Sequence, residues 1–208
     1  IKRFAVVGHD WGARTAYTLA AVAPSRVTSI AALALAYQPR GKFTMPSFPQ
    51  ARLFWYQWLM YLDAGVAAIT SDPVGFAREQ WETWSPPGWF DDSEFAATAA
   101  AFTNPDWTPI TLNNYRSRFS DHEPRDPRYD TLRDRIAHTD CLDVPTLMIQ
   151  GGSDSCDPPE ASEGQSNHFS NYYYRTVIDG VGHSRTEKPP TPCSTTCDPT
   201  YPQTPDHT

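Results

Sequence analysis

Three titratable side chains in glycine-rich turns are the residues of this sequence best placed to do chemistry. Asp10 is the central residue of a Gly-x-Asp-x-Gly motif, Asp154 follows Gly-Gly-Ser, and His183 follows Gly-Val-Gly. The first motif has the form of a nucleophile elbow, a sharp strand-to-helix turn that presents a nucleophile, with Asp in place of the better known Ser. Glycine is expected where the backbone turns tightly beside a ligand.

The sequence also allows a purely structural role for Asp10. Asp is a favoured N-cap residue, and an alanine-rich helical pattern follows it directly. Gly8 and Gly12 favour the elbow, because Cβ atoms at these positions are expected to collide with the neighbouring backbone of so sharp a turn. In an elbow, the backbone N–H of Trp11 would face the same space as the Asp10 carboxylate, at the N-terminus of the helix.

Each of the three turns follows a predicted strand. The strands are expected at residues 1–7, 144–150 and 172–178. The first is a continuous apolar run, which is typical of a parallel strand that is buried on both faces. Ligands of open α/β sheets bind beyond the carboxyl ends of the strands. We therefore expect the three side chains to converge at that edge of the sheet.

The first 35 residues predict a strand–helix–strand unit. A helix is expected over residues 12–23, where Pro24 ends it, and a second apolar strand over residues 27–35. Such a unit implies parallel strands joined by a right-handed crossover. The fold class is therefore α/β with a mainly parallel sheet, whose core comprises residues 1–36 and 143–183.

Residues 37–142 contain no convincing strand and predict an inserted helical cap, or lid, over the site. Proline and glycine separate several aromatic-rich or alanine-rich helical patterns in this region. The predicted cap helices cover residues 50–62, 73–84, 92–102, 109–119 and 132–137. A further weak helix is expected over residues 160–169.

Composition and charge argue against several classes of function. The formal net charge of −7 gives no sign of a nucleic-acid or lipid-binding surface. No apolar run approaches the roughly 18 residues of a membrane span, and the first residues lack the pattern of a signal peptide. Neither nucleic acid nor a membrane is therefore an expected partner, and the oligomeric state is left open.

The four cysteines do not indicate a disulfide framework in a chain of 208 residues. Cys193 and Cys197 form a C-x-x-x-C pair without a second pair of ligands, so a zinc site is not expected. No metal or cofactor is predicted. The expected location is the reducing cytoplasm.

The chain resembles the α/β-hydrolase fold family over about residues 1–183. The matching motifs lie at residues 8–12, 151–154 and 180–183, in the chain order of nucleophile, acid and histidine. Because the nucleophile position holds an aspartate, the chain resembles one branch of this family in particular. That branch contains epoxide hydrolases and the haloalkane and haloacetate dehalogenases. The resemblance implies Asp10 as nucleophile and His183 as base, with Asp154 orienting that histidine.

These residue types suit substrates with a leaving group on carbon. A carboxylate that attacks an alkyl carbon forms an ester, which water must then hydrolyse. His183 would take a proton from that water, and the Trp11 backbone N–H would stabilise the developing oxyanion. The expected substrate is a small apolar or amphipathic molecule.

Two tyrosines of the predicted cap favour an epoxide substrate. Epoxide hydrolases use two cap tyrosines to protonate the alkoxide, and the stretches 56–60 and 113–116 resemble the segments that carry them. The resemblance thus implies acid roles for Tyr56 and Tyr115. The alternative is that they only pack the cap, the more common role of clustered aromatic residues.

Two other functions stay open. A dehalogenase would use the same triad, and the Trp11 indole N–H could bind its halide, although epoxide hydrolases carry Trp there too. A non-catalytic hydrolase fragment is the second alternative, because the early strands of the family and their second oxyanion donor are not found in this sequence. The chain is therefore expected to be truncated at its N-terminus and to expose one face or edge of its sheet.

The remaining polar candidates are expected to be structural. His9 is expected to support the elbow, Arg14 to form a salt bridge, and Asp157 is an alternative to Asp154 as the acid. Three histidines are expected to be solvated: His122, His138 and His168. Residues 184–208 form a Pro/Thr-rich tail that is expected to be disordered.

Overall fold

The computed structural model describes residues 1–119 and 126–184, and within them four strands form one parallel sheet. The strand order is β1-β2-β3-β4, and every neighbouring pair is parallel. The α/β prediction with a mainly parallel sheet is therefore confirmed. The strands are β1 (Phe4–His9), β2 (Val27–Leu33), β3 (Thr146–Gly151) and β4 (Tyr173–Ile178).

Burial of β1 on both faces is a wrong prediction. Val7 is 76% exposed and Ala5 is also exposed, whereas Phe4 and Val6 pack against the core. Among the described residues, β1 pairs only with β2. A continuous apolar run indicates that a strand can be buried on two faces, but not whether another element covers the second face. The exposed face agrees with the expectation of an uncovered sheet.

The core lies between the sheet and helix α1 (Trp11–Val22). Ala13, Ala16 and Ala20 face the sheet, and their small side chains let the helix axis lie close to β1 and β2. Tyr17 is buried beside them and donates a hydrogen bond from its hydroxyl to the Leu35 carbonyl oxygen over 3.1 Å. This packing fixes the start of α1, and with it the residue that precedes the helix.

Seven α-helices of the described residues lie between β2 and β3, where the cap is predicted. Their apolar side chains form a second buried cluster, which includes Tyr56, Met60, Ile69, Leu112 and Tyr115. The division into core and cap residues stays a prediction. The helices are α2 (Phe48–Leu53), α3 (Trp55–Leu59), α4 (Asp63–Ser71), α5 (Pro73–Thr83), α6 (Asp92–Phe102), α7 (Trp107–Phe119) and α8 (Asp130–Ala137).

Two predicted helices differ from the structure. The helix predicted over residues 50–62 is divided at Phe54, whose ψ of 21° is not helical. The helix predicted over residues 160–169 is replaced by two short 3₁₀ helices, Pro159–Ser162 and Gln165–His168, because Gly164 adopts a left-handed φ of 66° between them. Helix α4 is not anticipated by the sequence pattern.

Some predictions lie outside the described residues. They are the solvated position of His122 and the disorder of the tail from residue 185 onward. Within the described residues, no helix combines the length and the apolar character that crossing a membrane requires.

Candidate active site

Asp10 lies in a strained turn between β1 and α1. Its φ of 49° and ψ of −113° are rare for a residue with a side chain, and two backbone hydrogen bonds hold the turn. The Asp10 N–H donates to the Leu33 carbonyl oxygen, and the Arg14 N–H donates to the Asp10 carbonyl oxygen, each over 3.0 Å. Asp10 stands at the N-cap position of α1, but its side chain makes no capping hydrogen bond, so the purely structural role as a capping side chain is wrong. Its carboxylate lines a cavity instead.

The two glycines of the elbow differ in their steric role. A Cβ atom added to Gly8 would lie 2.2 Å from the Gly12 carbonyl oxygen, a distance that no real structure tolerates. A Cβ atom added to Gly12 would meet nothing within 4 Å. The predicted collision is therefore correct at Gly8 and wrong at Gly12. The backbone of Gly12 comes close to Gly8, while the missing side chain of Gly12 would point into open space.

His183 and Asp154 form a buried pair. The His183 Nδ1 lies 2.8 Å from the Asp154 Oδ2, and both side chains are almost fully enclosed. The backbone N–H groups of Cys156 and Asp157 each donate to the Asp154 Oδ1 over 2.8 Å. The Gln150 amide donates to the Oδ2. These bonds hold the carboxylate in one orientation, and the structure pairs His183 with Asp154 and not with Asp157.

The environment of His183 prepares it to accept a proton. Burial by itself lowers the pKa of His183, but the hydrogen bond and the charge of Asp154 outweigh burial and leave the pKa above 6.5. The charges of Asp10 and Asp157 act in the same direction. The His183 Nε2 is buried and has no hydrogen-bond partner among the described residues. That nitrogen is therefore available to a water molecule or a substrate.

His9 supports the turn that carries the catalytic candidates. Its Nε2 lies 2.6 Å from the His183 carbonyl oxygen, and its ring meets the His183 ring edge to face. The contact joins the end of β1 to the turn after β4. His138 is exposed, as predicted, whereas His168 is half-buried and lines the rim of the cavity beside Tyr37.

A cavity of about 500 Å³ brings most of the predicted site residues together. Asp10, Trp11, Tyr56, Tyr115 and His183 all line it. Asp154 does not line the cavity; it is buried behind His183 and contacts the Nδ1 of that histidine. Trp11 is the first residue of α1, a position whose N–H has no partner within the helix. The backbone N–H predicted for the oxyanion is thus next to the carboxylate.

Tyr56 and Tyr115 lie together in the cavity lining. Their rings meet edge to face at a centroid separation of 5.4 Å, and Tyr115 makes a similar contact with Trp11 at 5.2 Å. Burial is the largest cause that raises the pKa of both hydroxyls, and the charge of Asp10 also raises it. Both tyrosines are therefore protonated at neutral pH and can donate a proton or a hydrogen bond.

The cavity also contains residues that are not predicted to take part in catalysis: Gln57, Cys156 and Arg118. Gln57 donates a hydrogen bond to the Tyr56 hydroxyl over 2.8 Å, and the Cys156 Sγ lies 3.6 Å from the same oxygen. Arg118 of α7 also lines the cavity, as does Asp157, whose pKa burial raises to about 7. Only Asp157 carried a sequence signal, its place near the predicted acid.

Arg14 does not form the predicted salt bridge. Its Nη1 donates over 2.7 Å to the Gln38 amide oxygen, and no ion pair involves Arg14 within the described parts of the chain. The reason is its position on α1, one helical turn after Asp10, which directs the side chain into the cavity. The i, i+4 spacing from the elbow is a sequence signal that could have found it.

The parallel sheet, the strained elbow and the histidine–carboxylate pair define a protein of the α/β-hydrolase class. Residues 1–185 match the model of the alpha/beta hydrolase fold family, and the chain belongs to this family. The predicted resemblance is therefore confirmed.

Two relatives carry epoxide hydrolase names. The chain is 25% identical to Epoxide hydrolase A of Mycobacterium tuberculosis over 215 residues, which cover 88% of this chain and 63% of that protein. A crystal structure of a candidate epoxide hydrolase from Klebsiella pneumoniae is 32% identical, with a TM-score of 0.77 over 88% of this chain and 61% of that one. The chain is therefore epoxide hydrolase-like, and it spans less than two thirds of the length of both proteins.

A third comparison concerns the fold alone. Epoxide Hydrolase A from Mycobacterium thermoresistibile is 22% identical, with a TM-score of 0.68 over 91% of this chain and 66% of that chain. At this identity the similarity extends to the architecture and not to the chemistry of the site.

Proposed function

We propose that this chain carries the site of an epoxide hydrolase, which opens an epoxide through an ester on Asp10 and releases a vicinal diol. The observation that carries the proposal is the pair of protonated tyrosines, Tyr56 and Tyr115, in the same cavity as Asp10. Opening an epoxide creates an alkoxide, which needs a proton donor at that point. A halide leaving group has no such need.

In the first step, a carboxylate oxygen of Asp10 attacks one carbon of the oxirane. The carbon–oxygen bond of the ring breaks, and its electron pair stays on the oxygen. Tyr56 and Tyr115 hydrogen-bond that oxygen, and one of them transfers its proton to it. The product is a hydroxyalkyl ester of Asp10 and a tyrosinate.

In the second step, His183 activates water. Its unpaired Nε2 accepts a proton from a water molecule, whose oxygen attacks the ester carbonyl carbon of Asp10. The Trp11 backbone N–H stabilises the resulting oxyanion. When the ester bond breaks, the His183 imidazolium returns its proton to the departing alkoxide, and the second proton of the water restores the tyrosine. The sum is one epoxide and one water converted to one diol.

Trapping the ester tests this function. With a His183→Gln variant, an aryl epoxide is expected to leave a stable hydroxyalkyl adduct on the peptide that contains Asp10, detected by mass spectrometry. An Asp10→Asn variant is the matched control and should carry no adduct. A folded His183→Gln protein without an adduct would overturn the nucleophile assignment.

The same experiment separates the two alternatives. A dehalogenase would form an ester that lacks the hydroxyl group when it is given a haloalkane or a haloacid, and it would release halide. A non-catalytic fragment would form neither adduct. The predicted cytoplasmic location, and the prediction that neither nucleic acid nor a membrane is a partner, stay part of the proposal.

A further inference from the structure

Two arginines from different parts of the chain line the same cavity, beside the Trp11 ring. Arg14 comes from α1, and Arg118 comes from α7, among the predicted cap helices. Their guanidinium carbons lie 5.2 Å and 5.8 Å from the centroid of the Trp11 ring. Trp11 directly follows Asp10, so both cations lie close to the nucleophile.

Neither guanidinium has a carboxylate partner in the described residues. Arg14 donates to the Gln38 amide oxygen, and Arg118 donates to the Gln57 amide oxygen over a long 3.3 Å. The Arg118 Nε is buried and has no hydrogen-bond partner among the described residues. A guanidinium has five N–H donors, so the described residues leave most of the hydrogen-bonding capacity of both side chains unused.

The two cations lie close together without a direct ion pair: the charges of Asp10 and Asp157 act on both, but neither carboxylate forms a salt bridge with them among the described residues. Burial and, second, the charge of Arg118 lower the pKa of Arg14 to about 10, although the charge of Asp10 acts in the opposite direction. Burial also lowers the pKa of Arg118. Both groups nevertheless stay charged at neutral pH, and Asp157, a second carboxyl group in the cavity lining, is itself protonated below its raised pKa of about 7.

We propose that Arg14 and Arg118 form a subsite for a carboxylate of the substrate, so that the substrate is an epoxide that bears a carboxylate near the oxirane. The assignment rests on the proposed function for its epoxide part and on the arginines for its carboxylate part. A carboxylate matches the planar, forked geometry of guanidinium donors. It would also pair with the unused Arg118 Nε and would hold the oxirane next to Asp10.

A matched pair of epoxides tests the subsite. Phenylglycidate carries the carboxylate, and phenylglycidamide has nearly the same shape without the charge. The full chain is expected to hydrolyse phenylglycidate with a kcat/KM about 10- to 100-fold higher than that for phenylglycidamide. This ratio corresponds to the usual contribution of a charge-assisted hydrogen bond to binding. Arg14→Gln and Arg118→Gln should lower kcat/KM for the acid far more than for the amide. Arg52→Gln removes an exposed charge of α2 and should leave the preference unchanged.

Binding without chemistry separates failure of the subsite from failure of the proposed function. Phenylacetate cannot react, and its binding next to Trp11 should change tryptophan fluorescence, whereas phenylacetamide should bind at least 10-fold more weakly. Equal binding of the two, or binding that Arg118→Gln does not weaken, overturns the subsite. Selective binding of phenylacetate with no turnover of either epoxide supports the subsite and overturns the proposed epoxide hydrolysis instead.

Discussion

Gln57 donates a hydrogen bond from its side-chain amide to the hydroxyl oxygen of Tyr56 over 2.8 Å. The amide oxygen of Gln57 accepts a hydrogen bond from Arg118, which orients the amide group. Because the Tyr56 oxygen already accepts a bond, its own hydrogen can be donated to a molecule in the cavity, to the Tyr115 hydroxyl or to the Cys156 sulfur. The glutamine therefore presents Tyr56 as a donor.

Replacing Gln57 by Met is expected to lower kcat for epoxide hydrolysis about 10-fold, because Tyr56 loses the group that orients its hydroxyl. Steady-state kinetics of the variant measures this loss. The same replacement in a Tyr56→Phe background provides the control. It should cause no further loss of kcat, since the hydroxyl is already absent. An equal loss in both backgrounds would show that Gln57 acts through the fold and not through Tyr56.

Asp154→Asn is expected to move the acid limb of the pH–rate profile to lower pH. The hydrogen bond and charge of Asp154 hold the pKa of His183 above 6.5, against the opposing effect of burial. Hydrolysis of the ester needs neutral His183, so wild-type activity should rise with pH through that raised pKa. Without the carboxylate, burial is opposed only by the charges of Asp10 and Asp157, so the pKa of His183 is expected to fall.

The rate of the Asp154→Asn variant should also fall, by about 10²- to 10⁴-fold, because the imidazole loses its fixed tautomer and orientation. Single-turnover measurement of ester hydrolysis between pH 5 and 9 follows both effects. An acid limb that keeps its position in the variant would contradict the role of Asp154.

Asp157→Asn is expected to remove part of the dependence of stability on pH. Burial raises the pKa of Asp157 from 3.8 to about 7. Between these values the folded protein retains a proton that the unfolded chain has released, so stability falls as the pH rises and the loss is complete above about pH 7. The contribution is at most on the order of 4 kcal/mol, from about 1.4 kcal/mol for each pH unit.

Urea unfolding at pH 5 and pH 8 measures that change for both proteins. Because the charge of Asp157 also raises the pKa of His183, the comparison is made in a His183→Gln background, which removes the contribution of that histidine. The Asn variant should gain stability relative to the protein that retains Asp157 at pH 8 and should match it more closely at pH 5. If the free energy of unfolding changed equally with pH in both proteins, ionisation of Asp157 would not affect stability, and the prediction would be wrong.

The two glycines of the elbow should respond in opposite ways to alanine. Gly8→Ala would place a Cβ atom 2.2 Å from the Gly12 carbonyl oxygen, so it should cost about 3 kcal/mol or more and displace the elbow. Gly12→Ala adds a methyl group in open space within a helix and should be neutral or stabilising by about 1 kcal/mol. Thermal unfolding of the two variants compares them directly. Similar losses at both positions would contradict the geometry of the turn.

The parts of the site that follow from local chemistry could be predicted from the sequence. Glycine turns after apolar strands locate Asp10, Asp154 and His183, because the edge of a parallel sheet brings the ends of its strands together. The helix α6 begins and ends as predicted, since a capping box between Asp91 and Glu94 marks its start. Such signals lie within a few residues of the feature that they determine.

The parts that depend on packing between distant segments could not be predicted. Gln57 and Arg118 belong to different helices, and their entry into the cavity depends on how those helices pack against each other and on Trp11. The exposure of Val7 depends on which elements cover the sheet and not on its own apolar character. The steric difference between Gly8 and Gly12 appears only when the path of the backbone is known.

The pairing of β2 with β3 has a consequence for the speed of folding. Ile30 pairs with Thr146, so all the helices that supply Tyr56 and Tyr115 form one long loop between adjacent strands. Closing such a loop costs conformational entropy before the stabilising contacts between its ends can form. Folding is therefore expected to be slow compared with proteins whose contacts are mostly between residues close in sequence. Asp10 is therefore expected to meet Asp154 and His183 late in folding, after the loop has closed, so that activity recovers after the helices form during refolding.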